Sequence, residues 1–202
     1  MNSKIYFITG IGTDIGKTVI SAILVEKLNA EYWKPIQAGN LNDSDSIFIK
    51  NQTNCKTIHS ERFQLTQPMS PHAAAKIDNI KIQLSDFEIP LTTNPLIIEG
   101  AGGLMVPINE NELVLDLIKY LDIEVIIISK NYLGSINHSL LTIEVLQKNN
   151  IKIKGLIFNG DSNPETEHII HKLSDIPVIG KVPNLNNISK EIIQNEAHNI
   201  NL

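Results

Sequence analysis

Gly10-Ile11-Gly12-Thr13-Asp14-Ile15-Gly16-Lys17-Thr18 is the stretch on which the reading of this chain turns. Ahead of it, residues 4–9 (KIYFIT) form a short apolar run of strand character. Behind it, Val19, Ala22, Ile23, Val25 and Leu28 recur at helical spacing within residues 18–29. A glycine-rich turn that leaves a strand and opens a helix with Gly-Lys-Thr is the setting of a phosphate-binding P-loop. Glycines let successive backbone amides turn inward, and the helix N-terminus adds positive potential. Lys17 is then placed for the β- and γ-phosphates of a nucleotide, and the Thr18 hydroxyl for Mg2+. The strict pattern has glycine at position 11. This chain has Ile11 there and carries its glycine one residue earlier, at Gly10.

Outward from this loop, apolar runs alternate with helical patterns. Residues 32–37, 95–99 (PLIIE), 124–129 (EVIIIS), 153–159 and 177–179 read as strands. Residues 112–121, 135–148 and 164–173 read as helices. Such alternation implies βαβ units and a mostly parallel sheet. Runs with no polar alternation suit strands covered on both faces. The expected fold is α/β: one doubly wound, mostly parallel sheet with helices on both faces, of P-loop NTPase type, in a single domain over residues 1–202. Residues 40–94 are more polar, with short helical pieces at 45–51, 72–77 and 80–87, and are expected to wrap an edge of the sheet. Ligands of such folds bind beyond the carboxyl ends of the strands. The loops after Thr9, Gln37, Glu99, Ser129 and Asn159 are therefore the candidates.

The 202 residues are 42% hydrophobic and 19% charged, which excludes disorder, collagen and coiled coil as descriptions of the whole. A net charge of −5 gives no sign of a basic face, so no nucleic-acid partner is expected. Cys55 is the only cysteine, which rules out an internal disulfide and fits a reducing compartment. The apolar runs are strand-sized, so no membrane span is expected. Met1 leads straight into the first strand without a signal-peptide layout, and the expected location is cytoplasmic. Arg62 is the only arginine. Phosphates must then be handled mainly by lysines, backbone amides or a metal.

Four further groups bear chemistry. In Lys34-Pro35-Ile36-Gln37-Ala38-Gly39, a lysine sits in a strand read as buried, which is costly unless it meets an anion. In Glu99-Gly100-Ala101-Gly102-Gly103-Leu104, a carboxylate ends an apolar strand and glycines follow. An acid there suits Mg2+, and the glycines allow close approach of a ligand. Asp43 and Asp45 lie in a polar run whose ordinary reading is a helix N-cap, although Asp45 could add an oxygen to a Mg2+ site. Leu133-Gly134-Ser135-Ile136-Asn137-His138 opens a helix and reads equally as a plain helix start or a carboxylate-binding one. Asn159 and Gly160 end a strand, where an Asn amide can pair with adenine.

Taken together, TGIGTDIGKT (9–18), KPIQAG (34–39), SPHAAA (70–75), EGAGGLMVP (99–107), LGSINH (133–138) and FNG (158–160) resemble the dethiobiotin synthetase family. The resemblance runs from the first strand to about Leu185 and implies ATP and Mg2+ as cofactors. It implies a reaction of 7,8-diaminopelargonate, CO2 or bicarbonate, and ATP, and a homodimer that shares its substrate site. By resemblance, Lys34 and Lys17 are catalytic, and Thr18, Asp45 and Glu99 hold Mg2+. Thr13 and the amides of Asp14, Ile15, Gly16, Lys17, Thr18 and Val19 cradle phosphate. Gly100, Ala101, Gly102 and Gly103 line the site between nucleotide and substrate. Asn159, Gly160, Pro183, Asn184 and Leu185 form the adenine pocket. Ser70 lies in a substrate segment, and the helix start with Gly134, Ser135 and Asn137, contributed across the dimer to the other subunit's site, receives the substrate carboxylate. The family often has a hydroxyl residue at the position of Ala38. No match is found for the tail after Leu185.

Two other readings share the loop. Relatives acting in cobyrinate a,c-diamide synthesis carry an added glutaminase domain, for which this chain has no room. A partition-type ATPase switch, acting through dimerisation and partner binding, usually carries an extra lysine early in the loop; positions 10–16 hold none.

Overall fold

The computed structural model describes residues 4–202; residues 1–3, where the expected domain and the reading of the N-terminus begin, lie outside the described residues. The strands are β1 (Ile5–Gly10), β2 (Glu31–Trp33), β3 (Ile36–Ala38), β4 (Ile58–His59), β5 (Phe63–Leu65), β6 (Leu96–Gly103), β7 (Glu124–Lys130), β8 (Ile153–Asn159) and β9 (Val178–Val182). The helices are α1 (Lys17–Leu28), α2 (Asp45–Gln52), α3 (Pro71–Ile77), α4 (Val114–Leu121), α5 (Ser135–Lys148), α6 (Pro164–Ser174) and α7 (Lys190–Glu196). Seven strands form one sheet in the order β4-β2-β6-β1-β7-β8-β9, and β3 pairs with β5 in a small second sheet. Every strand pair in both is parallel.

Successive side chains on a strand point to opposite faces. In β1, Tyr6, Phe7, Ile8 and Thr9 are all buried, and so are Ile126, Ile127 and Ile128 in β7. Both faces of the sheet centre are therefore covered, as a parallel sheet requires. One core cluster runs from β1 to Ile200.

Four local expectations need correction. The strand expected over 32–37 splits at Lys34-Pro35: β2 joins the main sheet, whereas β3 leaves to pair with β5. Proline offers no amide to a ladder, so the break falls there. The strand expected over 95–99 runs on through the glycines to Gly103, so Glu99 lies within β6 rather than at its end. Residues 80–87 do not form a helix. Asp86 accepts from the Gln83 amide at 2.8 Å and closes a single 3-10 turn over Leu84–Asp86. The strand expected over 177–179 is β9, which begins at Val178 and continues to Val182. The tail after Leu185, for which no family match is found, forms α7, with Ile193 and Ile200 fully buried. Ile200 bridges Gly180 of β9, and the Asn201 amide donates to Ile179 O at 2.8 Å.

Candidate active site

The loop after β1 reaches the start of α1 through two residues of positive φ, Asp14 (56°) and Gly16 (86°). Any side chain is strained at the second of these, and a Cβ on Gly16 would also run into the Asn159 side chain. The first turn of α1 holds no acidic residue of its own. Lys17 folds back over the loop and donates to Gly12 O at 3.1 Å. Burial of this ammonium lowers its pKa, against the nearby Glu99 charge that raises it. Thr13 and Asp14 stay exposed, and Val19 is half-buried.

Beside this loop, the breaks after β2 and before α2 deliver Lys34 and Asp45 to the carboxylate of Glu99. Lys34 Nζ lies 2.6 Å from Asp45 Oδ2 and 3.0 Å from Glu99 Oε1, and it donates to Gly100 O at 3.3 Å. The Thr18 hydroxyl lies 2.8 Å from Asp45 Oδ1 and 3.0 Å from Glu99 Oε1. Lys34 is 5% and Glu99 1% exposed, so both charges depend on these partners. Burial alone would lower the Lys34 pKa, but Glu99 and then Asp45 outweigh it and hold it raised. Asp45 goes the other way: burial pushes its pKa up, and Lys34 with Thr18 brings it below the ordinary value. The result is two lysines and two carboxylates packed at the mouth of a phosphate loop.

Tyr32 of β2 escaped the sequence reading. Its hydroxyl donates to Glu99 Oε2 at 2.9 Å in a fully buried position. Burial, then the Glu99 charge, pushes the phenol well above its ordinary pKa, which keeps it a donor. A signal was present: Tyr32 stands two residues before Lys34, hence on the same side of an extended chain. Ser44, one residue before Asp45, is the N-cap of α2, and its Oγ accepts from the Ile47 amide at 3.3 Å. Gln37 serves the scaffold, donating to Gly39 O at 3.0 Å and accepting from the Asp45 amide at 3.3 Å.

Hard oxygen donors converge where Thr18, Asp45 and Glu99 meet. The donor set is two carboxylates and one hydroxyl. That suits Mg2+, which characteristically takes one or two carboxylates and completes its shell with water and substrate phosphates.

The other expected residues lie around this centre. Asn159 Nδ2 donates to Ile15 O at 2.7 Å, tying the end of β8 to the phosphate loop. The Gly160 amide donates to Val182 O at 2.8 Å, and Asn184 borders Gly160, so the 183–185 loop adjoins it; Pro183 is exposed and Leu185 packs on the core. Ala101, Gly102 and Gly103 are half-buried along β6, with Gly103 beside Gly10 of β1. Ala38 and Ser70 sit on neighbouring segments, because Gly39 touches Pro68; Ser70 Oγ lies 3.0 Å from His72 Nδ1. None of the hydrogen bonds among the described residues joins Gly134, Ser135 or Asn137 to the lysine–carboxylate cluster. Gly134 and Asn137 are exposed; Ser135 Oγ is buried without a partner.

A parallel sheet whose first strand feeds such a loop defines a P-loop nucleotide-binding protein. Solved structures with this fold include a plasmid partition protein of Borrelia burgdorferi bound to AMPPNP (TM-score 0.62, 13% identity, 98% of this chain and 96% of that one). The septum site-determining protein MinD of Pyrococcus horikoshii complexed with Mg-ADP also shares it (TM-score 0.57, 13% identity, 96% and 86%). A family profile described as an AAA domain matches residues 4–192. The ATP-dependent dethiobiotin synthetase of Christiangramia forsetii is 52% identical over 89% of this chain and 87% of its own length. That of Cytophaga hutchinsonii is 48% identical over 94% and 93%. The chain belongs to the ATP-dependent dethiobiotin synthetase family. No helix among the described residues is long and apolar enough to cross a membrane.

Proposed function

We propose that this chain is a cytoplasmic ligase of biotin synthesis, acting as a single P-loop domain in each subunit of a homodimer. It converts 7,8-diaminopelargonate, CO2 and ATP to dethiobiotin, ADP and phosphate. The observation that carries the reading is the meeting of Lys34, Asp45, Glu99 and Thr18 beside the phosphate loop, within a chain 52% identical to a named synthetase.

One substrate amine adds to CO2 and releases a proton, giving a carbamate. A carbamate oxygen attacks the γ-phosphorus and ADP leaves, forming a carbamic–phosphoric anhydride. The second amine attacks the carbonyl carbon, the ureido ring closes, and phosphate departs. Carbamate and triphosphate are both anionic, so the residues must offset repulsion and hold the pair in line. Lys34 carries a charge held by its carboxylate neighbours and exchanges them for the reacting phosphoryl and carbamate oxygens. Lys17 leaves Gly12 O for the β- and γ-phosphates. Thr13 and the amides of residues 14–19 cradle the phosphates. Asn159, one amide hydrogen already tied to Ile15, offers its Oδ1 and other hydrogen to adenine with Gly160 and residues 183–185. Thr18, Asp45 and Glu99 would hold Mg2+, which supplies positive charge to the phosphate oxygens. Gly134, Ser135 and Asn137 take the substrate carboxylate across the dimer, and Ala38, Ser70 and Gly103 border the substrate in their own subunit.

Incubation with ATP, the diamine and carbon-13-labelled bicarbonate tests this. The label should enter a product of dethiobiotin mass, and an unlabelled product or none would contradict it.

A further inference from the structure

Glu99 has two carboxylate oxygens, and they face different partners. Oε1 receives the Thr18 hydroxyl and the Lys34 ammonium, at 3.0 Å each. Among the described residues, Oε2 receives only the Tyr32 hydroxyl, at 2.9 Å. A carboxylate on a long side chain turns easily about its last bond, which has a broad, roughly two-fold profile. Nothing in the backbone fixes which edge of Glu99 faces the loop. Parallel pairing of β2 with β6 sets Tyr32 against Ile97, so Glu99 lies two residues further along the same face. The phenol crosses that diagonal, and tyrosine and glutamate are both fully enclosed.

We infer that Tyr32 is a positioning residue for the metal-holding carboxylate, locking Glu99 so that Oε1 alone is turned to Thr18 and the nucleotide. This deepens the reading of Glu99 as a Mg2+-holding residue and rests on it. Without the hydroxyl, Oε2 becomes a buried anionic oxygen with no partner, and the orientation of the carboxylate is left to the Thr18 and Lys34 contacts on Oε1 alone. Removing an outer partner of a metal ligand costs on the order of 10–100-fold in metal affinity. Phenylalanine keeps the ring and its packing, so Tyr32→Phe isolates the hydroxyl.

The test is equilibrium binding of Mn2+, as a spectroscopic stand-in for Mg2+, to the protein saturated with ADP. It is run on wild type, Tyr32→Phe, Glu99→Gln and the double variant, beside ADP binding in EDTA. Tyr32→Phe should weaken Mn2+ about tenfold and leave metal-free ADP binding unchanged. The double variant should lose no more than Glu99→Gln alone, because the hydroxyl acts only through that carboxylate. Wild-type Mn2+ affinity in Tyr32→Phe, with affinity lost in Glu99→Gln, overturns the role of Tyr32 alone. Unchanged affinity in both variants overturns the metal role of Glu99 and the inference with it. Equal losses with and without metal show a merely structural tyrosine. If Tyr32→Phe does not fold, additive losses in a cycle pairing Tyr32→His with Glu99→Gln overturn the inference, and non-additive ones uphold it.

Discussion

Lys34 Nζ and Glu99 Oε1 lie 3.0 Å apart in the interior, joined across 65 residues of chain. Each is the other's reason for being charged there, since isolated buried charges are very costly. In the proposed mechanism the pair, with Asp45 beside it, holds the lysine that exchanges carboxylates for phosphate oxygens.

Lys34→Ala should bind ATP within a few-fold of wild type yet lose on the order of 100-fold or more in turnover, as loss of a group that stabilises developing charge does. It should also lose about 3 kcal/mol of stability, because a buried carboxyl group is left without its cation. Nucleotide titration, steady-state ADP release and urea unfolding read the three effects. Near-wild-type turnover would remove Lys34 from the mechanism.

Gly16→Ala meets two penalties, a φ of 86° and the Asn159 side chain. The conformational part costs about 1–2 kcal/mol. ATP affinity should fall at least about tenfold, since 1.4 kcal/mol is that factor. Adding Asn159→Ala removes the clash but not the dihedral strain, so the strain part of the Gly16→Ala defect should persist against an Asn159→Ala background. Complete recovery would show that φ at position 16 is unimportant.

Glu167 is a buried junction between the segments after β7 and β8 and strand β9. Its Oε1 accepts from Asn131 Nδ2 (2.9 Å), Ser162 (3.1 Å) and the Asn163 amide (2.9 Å), while Oε2 faces Lys181 Nζ at 2.6 Å. Burial pushes its pKa up, but Lys181 and these donors bring it below the ordinary 4.5. A carboxyl depressed on folding stabilises above its unfolded pKa and loses that contribution as pH falls through the folded one. Thermal melts from pH 6 downward should therefore show a steeper acid loss in wild type, beginning near 4.5, than in Glu167→Gln. Parallel acid limbs would contradict the assignment.

Ile200 is fully buried against Gly180. Ile200→Ala should cost about 2–4 kcal/mol in urea unfolding, the range for emptying a filled core site. A loss under about 0.5 kcal/mol, as at ordinary surface positions, would show that the tail does not dock in solution.

The phosphate loop was legible because its signal is local: glycines, lysine and threonine at fixed spacing between two obvious elements. The central strands were legible because both of their faces are buried, leaving unbroken apolar runs. Lys34, Asp45 and Glu99 could be singled out as costly or chelating residue types, and their mutual pairing emerged only with the fold. Three features were hidden. Pro35 marks a break in one apolar run, but nothing in the run shows that its two halves join different sheets. Strands β4 and β5 hold two and three residues, too few for any periodicity. The tail anchors through Ile193 and Ile200 amid polar neighbours, so its amphipathic pattern is thin.

The central claim is that this site couples ATP cleavage to carboxylation of a diamine. ADP release with Mg2+-ATP and bicarbonate, measured with and without 7,8-diaminopelargonate alongside product mass, tests it most directly. The account predicts ADP release that depends on the diamine and matches a product of dethiobiotin mass. ADP release indifferent to the diamine would contradict it and favour a switch ATPase.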